Sequence, residues 1–293
     1  MLKSIIIVTI SVLNLGPVET AYQEQLDYQT VERGVLSEAL TAVWDTPAMT
    51  GRDYLLMQPA SREEVYLRFI ENSATKGHEP MTTFGWNATE LLVKDPDAMA
   101  TKLADSAFRM IGPPKDLWTA PDAPRAMQVK GPGDEVLYLT RNLDFEFSGY
   151  VDRVFIMVVG GPSMDAFKDY YANTMGLKVG DATPFQITVI SNAQGLPADT
   201  AYPLAVARIS ERFLIELDEY PVTVGARPLE AGKLPPGTAM VSLEVEDLDA
   251  LDVELRAAPG KLSGLAYQDR RSAVTIGPAG EWIELIETGI STD

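Results

Sequence analysis

The chain has 293 residues, enough for one large domain or two of ordinary size. Its 24 Lys and Arg against 42 Asp and Glu give a net charge of −18, which argues against nucleic acid or an anionic membrane as partner, since either needs a basic face. Apolar residues make up 46%, enough for a full core; cysteine is absent, which excludes disulfides, thiolate catalysis and cysteine-ligated metals, and histidine occurs once, at His78.

From the N-terminus, Lys3 followed by the apolar run Ile5 to Leu13 has the outline of a secretory signal, but Gly16-Pro17-Val18-Glu19 fits a cleavage site badly. Thr9 and Ser11 alternate with Val8, Ile10 and Val12, the period-two pattern of a strand with one buried face. No later run reaches the ~18 apolar residues of a spanning helix, so a soluble, cytoplasmic protein is expected. Strand-like runs open at Ser4, Trp86, Val151 and Thr238, and each leads into a helical stretch: Pro17–Leu26, Pro96–Ala104, Ser163–Met175 and Asp249–Ala257. Pro17 and Pro96 suit a first helical turn, and Asp95, Ser163 and Asp247 can cap an N-terminus. Shorter strands follow each helix: Tyr54–Met57 and Val65–Ile70; Arg125–Val129 and Glu135–Thr140; Phe185–Ile190, Ala205–Ile209 and Phe213–Leu217; Ala273–Ile276 and Trp282–Ile286. Stretches 72–82 and 226–237 join these units, and 142–149 joins the halves.

Self-similarity organises the whole. Asp95-Pro-Asp-Ala-Met99 recurs as Asp247-Leu-Asp-Ala-Leu251, and Gly131-Pro-Gly-Asp-Glu135 recurs as Gly277-Pro-Ala-Gly-Glu281, in each case about 150 residues further on. The chain is therefore expected to be α+β, with four βαβββ units in two halves, 1–146 and 147–293. These features resemble the vicinal oxygen chelate superfamily, which includes glyoxalase I, bleomycin-resistance proteins and extradiol dioxygenases. Asp165-Ala-Phe-Lys-Asp-Tyr-Tyr171 with Met175-Gly-Leu-Lys-Val-Gly180 resembles that family's helix and turn. Gly277 to Glu287 resembles its closing strand, and Trp44 to Met57 its middle strands. The resemblance implies paired units folded as half-barrels around a cup that holds a divalent metal, one cup in each half.

A strand with a helix behind it and a cup in front must alternate. That parity places Ile7, Thr9 and Ser11; Ala88, Glu90 and Leu92; Arg153, Phe155 and Met157; and Met240, Ser242 and Glu244 in the cups. The family's metal ligands are a histidine on an opening strand and a glutamate or histidine on a closing one. The matching positions here hold Ile7, Ala88, Arg153 and Met240, then Arg68, Tyr138, Glu216 and Glu284. His78 falls between units. Iron, zinc or nickel of the family's kind wants imidazole, so no metal cofactor is expected.

What remains in the second cup is Arg153, Glu216 and Glu284, with Phe155, Met240 and Trp282 as walls. Arg153 can hold a substrate carboxylate or enolate while Glu216 or Glu284 moves a proton next to a carbonyl. Alternatively, Arg153 and one glutamate form an ion pair that replaces the metal. In the first cup Arg68, Trp86, Glu90 and Tyr138 could bind an anionic aromatic ligand, or could be ordinary packing. Two classes of function stay open, a metal-independent lyase or isomerase and a protein that sequesters a small molecule, with a metal-dependent glyoxalase or dioxygenase as outsider. Exposed cup edges could also pair across a homodimer.

Overall fold

The computed structural model describes residues 1–221 and 223–289. The first unit comprises β1 (Leu2–Val12), α1 (Leu15–Leu26), β2 (Tyr28–Val35), α2 (Glu38–Trp44), β3 (Asp53–Pro59) and β4 (Tyr66–Glu71). The second has β5 (Gly85–Val93), α3 (Pro96–Leu103), β6 (Arg109–Asp116), β7 (Arg125–Lys130) and β8 (Val136–Arg141). The third runs through β9 (Val151–Gly161), α4 (Met164–Lys168, continued as a π-helix over Asp169–Thr174), β10 (Lys178–Val179), β11 (Thr183–Gln186), α5 (Thr188–Gln194), β12 (Ala201–Arg208) and β13 (Leu214–Glu219). The fourth has β14 (Gly237–Val245), β15 (Gly260–Leu262), β16 (Arg270–Ile276) and β17 (Trp282–Glu287). No helix among the described residues is long and apolar enough to cross a membrane.

The expected helix caps form: Asp95, Ser163 and Asp247 each accept a hydrogen bond from a backbone N–H just ahead of them. The fourth expected helix, Asp249–Ala257, does not. Only a 3-10 turn, Leu248–Ala250, is present, and Leu251, Val253 and Leu255 then pack against the core at a spacing of two before Pro259. That alternation is an extended-chain pattern, and it outweighs the capping signal before it. In the third unit the expected strand Phe185–Ile190 ends early, and the chain turns into α5.

Two curled sheets result, with strand orders β15-β16-β17-β14-β1-β4-β3-β2 and β10-β12-β13-β9-β5-β8-β7-β6. The first joins unit one to unit four, and the second joins unit two to unit three. The expectation that each half closes its own cup therefore gives way to a crossed arrangement, in which both cups draw on both halves. Antiparallel pairing of β1 with β14 and of β5 with β9 makes the seams. The main core lies on the helix side of both sheets, where Val8, Leu91, Val159 and Val241 meet Tyr22, Met99 and Phe167.

The repeated Gly-Pro-x-x-Glu segment is a structural device. Glu135 accepts hydrogen bonds from the Tyr22 hydroxyl (2.8 Å) and the Gly133 N–H (2.9 Å), and Glu281 does so from Tyr171 (2.9 Å) and the Ala279 N–H (2.7 Å). Gly131 and Gly277 leave room for these carboxyls, which a Cβ at either position would overlap. Burial above all pushes both carboxyls up to about 7. The native state thus keeps a proton that the unfolded chain releases near the ordinary glutamate value, so this stabilisation is complete below about pH 4.5 and is lost as pH rises through 7. The loss is about 3 kcal/mol per carboxyl. Urea unfolding at about pH 5 and about pH 8 should show a fall in stability that shrinks when Glu135 and Glu281 are both changed to Gln; an equal fall in both proteins would refute the assignment.

Candidate functional site

The two cups are built alike and filled differently. In the sheet of units one and four, Thr9 pairs with Arg68 and Ser242 with Glu284 in register. In the other sheet the corresponding pairs are Val158 with Glu216 and Glu90 with Tyr138. The same four places therefore hold Thr, Arg, Ser and Glu in one cup, and Val, Glu, Glu and Tyr in the other.

The first set satisfies itself. The Glu284 carboxylate, 0% exposed, accepts from Trp44 Nε1 (2.8 Å), the Tyr267 hydroxyl (2.9 Å), Ser272 Oγ (3.1 Å), Arg68 Nη2 (3.4 Å) and Ser242 Oγ. Arg68 also donates to Tyr267 (2.6 Å) and twice to Thr9 Oγ1 (3.0 and 2.8 Å), and its guanidinium lies over the Trp44 ring at 4.5 Å. Trp44, the last residue of α2, packs there among Ile7, Met240 and Trp282. This cup is closed.

The second set does not. Gln194 ends α5 as Trp44 ends α2, but its amide turns away to the Met81 carbonyl (2.9 Å). A cavity of about 290 Å³ remains, with apolar walls that include Ile111, Leu117, Phe185, Ile187, Val189 and Leu204. Glu90, Glu216, Tyr138 and Gln128 also line it, as does Lys115, which is exposed. Behind Glu216 on the same face of β13 lies Asp218, fully buried, with neither carboxyl oxygen hydrogen-bonded; the hydroxyls of Tyr138 and Tyr220 are likewise unpartnered. Burial first and then Glu216 push Glu90 up to about 8, and burial pushes Glu216 up to about 7. Burial and both glutamates hold Asp218 far above the usual carboxylate range. No cation pairs with any of the three among the described residues, so each holds its proton to higher pH than a free carboxyl, Glu216 ionising first of the two that line the cavity.

The structure thus separates the expected trio. Glu216 lines the open cup, Glu284 is locked in the closed one, and Arg153 reaches neither. A bulge in β9, where Val154 and Ile156 oppose the adjacent Leu91 and Glu90, reverses the strand's parity. Val158 rather than Met157 therefore faces the open cup, and Arg153 pairs with its neighbour Asp152 (2.8 Å) beside Phe145. Phe155 packs on Phe145 with ring centroids 5.1 Å apart. The expected quartet divides too: Glu90 and Tyr138 line the open cup, Arg68 anchors the closed one, and Trp86 lies in the main core with its Nε1 on the Trp282 carbonyl (2.7 Å). Met240 and Trp282 sit in the closed cup, with Arg256 stacked 3.9 Å above Trp282. Sequence reasoning missed Asp218 and Phe185. The alternation Glu216, Asp218, Tyr220 carried the signal for the first; nothing local marked the second.

Neither cup offers the nitrogen donors of an imidazole-bound zinc or iron. His78 lies outside both, against Gly237, and burial with Arg227 and Lys130 nearby holds it down to about 4. In the closed cup the Arg68 cation already occupies Glu284; in the open cup the donors are all oxygen, and no three acidic or imidazole groups among the described residues converge on a metal position. The residues present do not fit the family's metal.

Four repeated units, the last with a 3-10 turn in place of its helix, curl into two cups, and this is the fold of glyoxalase-type structures. Solved structures agree. Glyoxalase I from Zea mays is similar at a TM-score of 0.64, with 13% identity over 97% of this chain and 92% of that one. A single-residue mutant of the same enzyme is similar at 0.66, with 12% identity over 97% of this chain and 92% of that one. A putative dioxygenase from Bacillus subtilis reaches 0.57 with 12% identity, covering 98% of this chain and 85% of that one. No family model and no curated protein matches the sequence. At such identities the likeness establishes the fold alone.

Proposed function

We propose that the open cup is an acid–base site of the lyase or isomerase type, acting on a small molecule through its own carboxyls rather than through an imidazole-bound metal. The observation that carries this reading is the placement of two carboxyls without a cation on one cavity, Glu90 buried and Glu216 half-buried, with proton affinities raised to about 8 and about 7. Ionised Glu216 takes a proton from a carbon beside a carbonyl, and protonated Glu90 donates to the oxygen on which charge develops. Return of the proton at a neighbouring carbon completes an isomerisation; loss of a leaving group from that carbon completes an elimination. The apolar walls exclude water and orient the rest of the ligand.

The experiment is proton exchange. A panel of small carbonyl compounds incubated with the protein in D2O should include members that gain deuterium at the carbon next to the carbonyl, read by mass spectrometry. Exchange should fall by at least about a hundredfold in Glu216→Gln, while Glu284→Gln, where it folds, retains it. A protein that binds panel members and exchanges none of them is a sequestering protein instead.

A further inference from the structure

We propose that the open cup takes a small organic cation, a protonated amine carried on an apolar body of about ten non-hydrogen atoms, a size that follows from the cavity volume. This deepens the reading of that cup as the ligand site and rests on it.

Charge balance between the two cups leads there. The closed cup holds one cation and one anion, Arg68 and Glu284, in contact. At the matching places the open cup holds Glu216 and Tyr138, with Glu90 where the closed cup has Ser242, and Asp218 beyond them. Two carboxyls thus line the cavity and a third, Asp218, lies behind Glu216, and none has a positive partner among the described residues, whereas buried carboxyls in folded proteins are ordinarily paired or bonded. The Tyr138 hydroxyl, 94% buried in a side chain that lines the cavity, has no hydrogen-bond partner either. An ammonium group supplies what is missing. Its donors can meet Glu90 and Glu216 together, and the Tyr138 oxygen can accept a third hydrogen bond. The apolar walls receive the body of the ligand. A carboxylate or phosphate would instead oppose ionisation of these carboxyls and meet like charge once they ionise.

Binding and protonation are then linked. The ionisable groups lining this space are Glu90, Glu216, Tyr138 and the exposed Lys115; Asp218, Tyr202 and Tyr220 lie behind them, with Arg227 near Tyr220. A bound ammonium favours ionised carboxylates, so binding strengthens and releases protons as pH rises through neutrality.

Calorimetry with 2-phenylethylamine, 2-phenylethanol and phenylacetate tests this on the intact protein. At about pH 8 the amine should bind at least about tenfold more tightly than the alcohol, with phenylacetate weaker than both, and the preference should vanish near pH 5. Glu90→Gln combined with Glu216→Gln should abolish the preference and leave alcohol binding unchanged, which also shows that the cup has folded. Equal binding of amine and alcohol, or tightest binding of phenylacetate, overturns the proposal. So does micromolar binding of manganese(II) chloride that displaces the amine, because an inorganic cation would then be the natural counter-ion. In Lys115→Met, an upward move of the cup's carboxyl titrations would show that the lysine already fills the place, and would overturn it equally. Deuterium exchange absent with the amine preference intact removes only the catalytic reading; exchange present without the preference removes only this one.

Discussion

Replacing Glu284 by Gln should lower the unfolding free energy by about 3–5 kcal/mol, because it leaves the buried Arg68 guanidinium without its counter-charge. The geometry gives the cation no other exit: Arg68 is 2% exposed, and its remaining partners, Thr9 and Tyr267, are neutral hydroxyls. Truncating Arg68 to Met should cost a similar amount for the converse reason. The double variant Arg68→Met with Glu284→Gln should recover much of the loss, since it leaves no isolated charge, and the coupling in a double-mutant cycle then measures the pair. Urea unfolding of the four proteins at one pH is the measurement. A loss below about 1 kcal/mol in either single variant would mean that the cup admits water and is not the closed polar core described above.

The same chemical change in the other cup should have the opposite sign. Glu216→Gln is expected to raise stability at about pH 8 by about 1–3 kcal/mol, because it removes a carboxylate that ionises in a buried space without a cation. The sign follows from linkage. The folded group holds its proton up to about 7 while the unfolded group releases it near the ordinary glutamate value, so folding is penalised above that range and not below it. The stabilisation should therefore disappear at about pH 5. Stability gained together with function lost identifies a working site, where an unfavourable arrangement is kept for its chemistry. A destabilised Glu216→Gln would instead place Glu216 in a satisfied network like that of Glu284.

Much of the architecture was legible along the chain. The opening strands at Ser4, Trp86, Val151 and Thr238 and the caps at Asp95, Ser163 and Asp247 are local patterns, set by side-chain alternation and by the hydrogen bonds a short polar side chain can make. Parity correctly assigned Ala88 and Glu90 on β5, and Met240 and Ser242 on β14, to the cup faces. It failed on β9, where a bulge inserts one residue and reverses every assignment beyond it. No residue between Val151 and Gly161 announces that bulge. The α2 helix was missed because seven residues carry little periodicity, although its cap at Ser37 is present in the sequence.

The amino-acid sequence by itself determined the four repeated units, the α+β class, the cup-facing identity of Glu90, Glu216 and Glu284, and the absence of a histidine set for a metal. Those properties depend on residue type and on periods of two to four residues, which each segment carries alone. Only the tertiary structure decided which unit pairs with which, and so which carboxyl meets a cation. Arg68 neutralises Glu284 because β1 joins β14, bringing residues 216 positions apart to 3.4 Å, while Glu90 and Glu216 share a cavity because β5 joins β9. Repeats of nearly equal pattern offer several ways to pair their sheets, and the choice among them rests on long-range packing that no single segment encodes.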